Sequence, residues 1–252
     1  MDTIEAYSMF GKKRKTQKNE NIEAVVAKDG DTTVADAAVA DATVAEAAPT
    51  DVQGGKDAPV DRAVNGPFDV TEVPSIRPYI DMGGIKVAPR EGLKVRLDVD
   101  QASKRIVAIS MDYAGSTMQV QAFSAPKSTG IWSEVRAEIK QGLEQQGATV
   151  TEQVGRFGGE LIISPRPDAP ENAKPIRFIG VDGPRWMLRG VIVGDAAAGG
   201  EGVEQIESVF RELVVVRGQA PMPPRELLPL RVPAGAAQEQ ATPNSVTGNI
   251  EA

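Results

Sequence analysis

The chain has 252 residues, a formal net charge of −7, and neither cysteine nor histidine. That composition excludes disulfides, thiolate nucleophiles and cysteine-based zinc or iron–sulfur sites. It also excludes the Ser-His-Asp triad, the His-Glu-x-x-His zinc site and the commonest general base near neutral pH. Nucleic acid is not an expected partner of so acidic a chain, because phosphate binding needs clustered Lys and Arg.

Residues 1–65 read as a disordered arm. Lys12, Lys13, Arg14 and Lys15 form a basic run, and acids dominate from Thr16 to Asn65, among them Glu20, Asp29, Asp41 and Asp57. A five-residue repeat runs from Thr33 to Ala47, with Val34, Val39 and Val44 in equivalent places. A period of five matches neither helix nor strand, so this is a low-complexity acidic linker. About 50 flexible residues span about 40 Å. Met9-Phe10-Gly11 ahead of the basic run has the form of a native start, with residues 1–8 an extension. The basic run precedes no apolar stretch of signal-peptide type, and nothing approaches the roughly 18 apolar residues of a membrane helix. The expectation is a cytoplasmic protein without a transmembrane segment. Phe10 and the four basic residues can touch an anionic membrane surface only weakly and reversibly.

Composition changes at Gly66-Pro67-Phe68, and a domain of about 150 residues follows, enough to bury about 70% of its unfolded surface. Leu93, Val95, Leu97 and Val99 alternate with Lys94, Arg96 and Asp98, which predicts a half-buried strand. Strands follow at 106–113 and 117–123, completing an antiparallel meander. Trp132, Val135, Ile139 and Leu143 form one helical stripe, with Ser128 or Thr129 as the expected cap and Gly147 as the stop. Strands are predicted again at 149–154, 160–164, 175–181 and 186–193, with Asp182-Gly183 as a hairpin-type turn. The glycine-rich stretch from Gly194 to Gly202 reads as a flexible connection. A second amphipathic helix carries Val203, Ile206, Phe210 and Leu213. Val214-Val215-Val216 is a short strand or helix exit. The order βββ-α-ββββ-α indicates an α+β domain: an antiparallel sheet packed with two main helices, with Trp132 and Trp186 as core anchors. Domain limits are 66–220. A Pro-rich strap over 221–233 packs back through Leu227, Leu228 and Leu230, and a disordered tail covers 234–252.

Three ordered motifs carry a resemblance. The first is Gln121-Ala122-Phe123-Ser124-Ala125-Pro126 with Gly130 to Arg136. The second runs from Phe178 through Gly180-Val181-Asp182-Gly183-Pro184-Arg185-Trp186 to Gly190. The third joins Phe210–Gly218 to Pro221-Met222-Pro223-Pro224-Arg225-Glu226-Leu227-Leu228-Pro229-Leu230. Together with the Phe-Gly-basic start, they resemble an uncharacterised actinobacterial family built on a domain of unknown function. The resemblance covers 66–232 and implies no established activity. The element order also resembles the Mog1/PsbP-like sandwich, and fold alone implies no function.

Among polar residues, Arg177, Arg185 and Arg189 stand out. They lie on two strands expected to pair, and Arg185, Met187 and Arg189 share a face opposite Trp186 and Leu188. Arginines on neighbouring strands suit bidentate capture of a phosphate or an acidic partner. The same residues also fit a solvated face with the arginines paired to Asp182 or to helix carboxylates. Asp182 reads as a turn residue without a catalytic partner. Gly199-Gly200-Glu201-Gly202 lacks the Lys and Ser/Thr of a phosphate loop. No catalytic residue, metal site or cofactor is expected. The sequence favours a non-enzymatic protein-interaction module for an unknown protein partner, its arm extending its reach. The alternative is a nucleotide- or phosphate-binding domain, extending to a Mg-dependent carboxylate hydrolase. That alternative requires the three arginines to converge on a pocket.

Overall fold

The computed structural model describes residues 55–74, 77–170 and 172–233. The basic run Lys12, Lys13, Arg14 and Lys15, the repeat at 33–47 and the tail at 234–252 lie outside the described residues. The elements in chain order are α1 (Arg62–Asn65), β1 (Phe68–Asp69), β2 (Ile80–Asp81), β3 (Ile85–Val87), β4 (Lys94–Val99), β5 (Ile106–Tyr113), β6 (Ser116–Ser124), α2 (Trp132–Gln145), β7 (Val150–Gly155), β8 (Gly158–Ile163), β9 (Ile176–Asp182), β10 (Trp186–Gly194), α3 (Val203–Arg211) and β11 (Val214–Val215).

The predicted meanders are present and join into one seven-stranded antiparallel sheet, ordered β4-β5-β6-β10-β9-β8-β7. The junction is β6 against β10, in register from Trp186 opposite Ser124 to Gly194 opposite Ser116. A second sheet, β1-β11-β3-β2, was not legible in the sequence. Its strands are two or three residues long, too short to show a period. Its parallel pair, β1 with β11, places the start of the domain beside the chain leaving α3.

Side-chain alternation assigns the two faces of the large sheet. One face carries Val120, Ala122, Ile179, Val181, Trp186, Leu188 and Ile192, which pack with Ile85 and Val87 of the small sheet and with Ile206, Val209 and Phe210 of α3. The other face carries α2. The Trp132 ring lies on Gly180, where an added Cβ would come within 2.2 Å of it. The two tryptophans, both fully buried, thus anchor opposite faces. Each half-sandwich is closed by apolar burial.

Helix α2 ends as expected. Gly147 has φ +80°, its N–H donates to Glu144 O, and the Ala148 N–H reaches back to Leu143 O, a Schellman arrangement. Its start differs from expectation. The helix begins at Trp132, and neither Ser128 nor Thr129 caps it. The Asp182 carboxylate does so from β9, accepting the backbone N–H groups of Ile131 at 2.9 Å and Trp132 at 3.2 Å. An acceptor fixed on a rigid strand end serves the orphan donors as well as a local hydroxyl does.

Two further segments are more ordered than their composition suggests. Residues ahead of Gly66 are built onto the domain: Lys56 donates to Gly183 O and Pro184 O, and Asp57 exchanges backbone and side-chain bonds with Asp182. In the glycine-rich connection, a 3-10 turn spans Asp195–Ala198, with Ala196 and Ala197 buried and the Ala196 N–H donating to Ser116 Oγ. The strap packs as predicted. β5 leaves β6 beyond Val120, and the strap takes the vacated edge: Ser124 N–H donates to Glu226 O and Leu228 N–H to Ala122 O. Leu228 is fully buried, and Leu230 bridges to Gly83 of the small sheet.

These contacts make two substitutions costly. Asp182→Ala should lower stability in urea unfolding by about 3 kcal/mol or more, because it strands buried N–H donors, and Asp182→Asn should cost less. Gly180→Ala should cost about 1–3 kcal/mol or more by overpacking against Trp132.

Candidate functional site

The central motif, Gly180 to Trp186, is a structural hub. Gly180 seats Trp132. Burial pushes the Asp182 carboxyl up, against the pull of the Ile131, Asp57 and Trp132 N–H groups. Burial also pushes the Lys56 ammonium down, with Asp182 opposing the shift. Gly183 lies so close to the Trp186 ring that a Cβ would overlap it. The Trp186 indole N–H donates to Asp69 Oδ2 at 2.9 Å, and the Arg62 guanidinium sits 5.7 Å over the same ring. This motif ties the β9–β10 turn to the start of α2, to Lys56-Asp57 and to Asp69.

The three arginines singled out in the sequence occupy three different environments. Arg177 stands opposite Ile192, whereas Arg189 stands opposite Gly180. Positions 189 and 192 on β10 differ by three residues, so Arg177 and Arg189 project from opposite faces of the sheet. Arg177 faces α3 and is 7% exposed. Its Nε and Nη2 donate to Glu160 Oε2 at 2.9 and 2.7 Å, and Nη2 also donates to Glu207 Oε1 at 2.7 Å. Both acids are buried. Burial opposes the charge on Arg177, and the two carboxylates outweigh it, holding the guanidinium above its ordinary value. Arg177 thus belongs to an internal ion triad linking β8, β9 and α3, as the reading of arginines paired to carboxylates expects.

Arg185 lies at the start of β10 on the Arg189 side. Its Nη1 donates to Gln219 Oε1 at a long 3.4 Å. Its charge is felt by Arg217, a residue that sequence reasoning passed over because it sits in a loop without periodicity. Arg217 is 8% exposed, donates from Nη1 to Ala220 O, and has no partner for its buried Nε. Burial lowers its pKa first, Arg185 adds to the effect, and Glu226 opposes it.

Arg189 is 5% exposed on the face that carries α2. One guanidinium nitrogen, Nη2, donates to the Gln121 side-chain oxygen, and the group lies 5.4 Å over the Phe123 ring. Its Nε is buried with no partner. Burial alone pushes it down to about 10. No carboxylate bonds to Arg189 among the described residues. A polar row continues from it across the sheet: Gln121 donates to Val107 O, while Gln119 and Ser110 both donate to Asp98 Oδ2.

The contrast with the other arginines is sharp. Arg62 pairs with Glu72, Arg90 with Glu212, Arg136 with Asp57 and Glu152, Arg211 with Asp61, and Arg225 with Glu134 and Glu138. Among the described residues, carboxylates pair with these cations, and none forms a salt bridge with Arg185, Arg189 or Arg217. Two surface depressions are present among the described residues. One of about 280 Å³ lies at the β5–β6 turn, near Lys94 and Asp112. The other, of about 220 Å³, lies between Arg105 and the strap. Neither is lined by the three predicted arginines, and both fall below the usual range for small-molecule sites, about 300–1,000 Å³. Among the described residues no three acids stand together as metal ligands.

The arrangement defines a class: an α+β domain whose ordered motifs serve packing and in which Arg189, on the sheet face that carries α2, has no carboxylate bonded to it among the described residues. The chain belongs to the family described as "Protein of unknown function (DUF3710)", whose model matches residues 66–239. No curated protein and no solved structure matches it.

Two measurements separate the structural arginine from the unmatched one. Arg177→Met should cost about 3–5 kcal/mol in urea unfolding, because Glu160 and Glu207 lose their counter-charge in the interior. Combining it with Glu160→Leu and Glu207→Met should restore most of that loss. For Arg189 the folded state holds its proton less tightly than the unfolded chain. The penalty is therefore full below about pH 10 and is relieved as pH rises beyond it, where the unfolded chain binds more protons. The stability of the wild type relative to Arg189→Met should stay constant between about pH 7 and pH 9 and shift toward the wild type by about pH 11.

Proposed function

We propose that this domain is a non-enzymatic protein-interaction module that recognises acidic segments of a partner. The observation that carries this reading is that, among the described residues, Arg185, Arg189 and Arg217 form no salt bridge, whereas the other buried or half-buried arginines do. An unmatched guanidinium at low exposure is costly, and a partner's carboxylate offsets that cost. Lys12, Lys13, Arg14 and Lys15, at the far end of the acidic linker, act as a second contact for an acidic partner or an anionic surface. A cytoplasmic location belongs to the same proposal. No helix among the described residues is long and apolar enough to cross a membrane. The actinobacterial origin and Mog1/PsbP-like likeness suggested by the motifs add no activity to this reading.

A phosphate-binding reading has one observation in its favour, that the Arg185 charge acts on Arg217 and lowers its pKa further. The placement of Arg177 and Arg189 on opposite faces weighs against a pocket gripped by all three predicted arginines.

The test is chemical cross-linking of the full-length protein in its native cells. The wild type is compared with Arg185→Gln/Arg189→Gln and with a variant in which residues 12–15 are alanine. One partner should be captured by the wild type, and capture should fall at least about tenfold in the double arginine variant and weaken as salt is raised. Unchanged capture by the double variant refutes the arginine reading. Calorimetric titration with a nucleoside triphosphate should give no heat, and heat that disappears in Arg185→Gln places the phosphate reading first.

A further inference from the structure

Arg177 and Arg189 offer an internal comparison. Arg177 presents its side-on edge, Nε and Nη2 together, to one carboxylate oxygen of Glu160. Arg189 presents the same edge to a weaker substitute. Its Nη2 is taken by the neutral amide oxygen of Gln121, and its Nε by nothing. Gln121 is itself held in place from the other end, donating from Nε2 to Val107 O at 3.0 Å. Gln121 and Arg189 are cross-strand neighbours on β6 and β10, so their side chains leave the sheet side by side. Phe123, two residues along β6, covers the guanidinium face and is only half-buried.

We infer that the Nε–Nη2 edge of Arg189 is a receptor for the side-chain carboxylate of an acidic partner segment, with the Gln121 amide as the occupant in the unbound state. This rests on the interaction reading above and names the group that does the reading. The carboxylate supplies both an acceptor for the unsatisfied Nε and the counter-charge that no described side chain provides. Gln121 gives up one neutral hydrogen bond and keeps its bond to Val107. The planar fork favours a flat carboxylate.

The experiment observes the arginine Nε–H signals of the isotopically labelled full-length protein by NMR. The Arg189 signal is identified by its loss in Arg189→Lys. The probe is a hexaglutamate peptide, with hexaglutamine and inorganic phosphate as comparisons. The Arg189 Nε–H should move downfield and saturate with hexaglutamate and stay in place with hexaglutamine. The Arg177 signal, already held by Glu160, should not move. Affinity should fall at least about tenfold in Arg189→Lys, and Gln121→Ala should bind as well as the wild type or better. If Arg185 or Arg217 responds and Arg189 does not, this site is overturned while the interaction reading stands. If no arginine responds, both fall. If phosphate moves Arg189 and hexaglutamate does not, the carboxylate assignment is overturned in favour of a phosphate source.

Discussion

The Asp182 carboxylate is the constraint on which much of this domain is assembled. It sits at the end of β9, buried, and its oxygens accept N–H groups from Ile131, Trp132 and Asp57. Those donors belong to the start of α2 and to a segment ahead of the main domain. Without the carboxylate, α2 would begin with unsatisfied N–H groups in an apolar setting. The Trp132 ring would also lose the placement that seats it on Gly180. The next residues of the same turn receive the Lys56 ammonium and stack against Trp186, which reaches Asp69 beside the small sheet. One short motif thereby couples both faces of the large sheet to both ends of the folded chain.

The second organising principle is charge matching. A domain this rich in arginine buries several guanidinium groups, and each needs a counter-charge or an alternative. For Arg177 the answer is two buried glutamates, one from β8 and one from α3. The cost of burying that triad is offset by joining the sheet to the helix that closes its core. Arg136 of α2 and Arg211 of α3 are matched by Asp57 and Asp61, which ties that leading segment to both helices, and Arg62 is matched by Glu72 within the same stretch. Against this background Arg189 and Arg217 are exceptions that packing alone does not explain. A methionine fills similar space without desolvating a charge.

The architecture also explains why the candidate site is a face and not a cavity. Inner sheet positions are filled by the small sheet, α3 and the strap. The strap occupies the β6 edge that β5 abandons and so closes what would otherwise be an opening in the sheet. Beside α2 a polar row runs from Asp98 through Gln119 and Gln121 to Arg189, most of it buried.

Local physics was readable from the sequence. The alternation of 93–99, the stripe of Trp132, Ile139 and Leu143, and the glycine at 147 each act over a few residues, and each predicted element formed near its expected limits. The α+β class followed from element order. The faces of β10 were legible too, because strand alternation puts Arg185 and Arg189 together against Trp186. Register decided the rest. Whether Arg177 shares a face with Arg189 depends on which residues stand opposite across two strands, and a shift of one position would exchange the faces. The cap on α2 came from residue 182, some fifty positions away in the chain. The partners of Arg177 came from β8 and α3, and the small sheet came from strands too short to announce themselves. Sequence fixes what each segment prefers. Only the tertiary structure sets which charges meet, because electrostatic and packing contacts act through space between residues whose separation along the chain carries no signal.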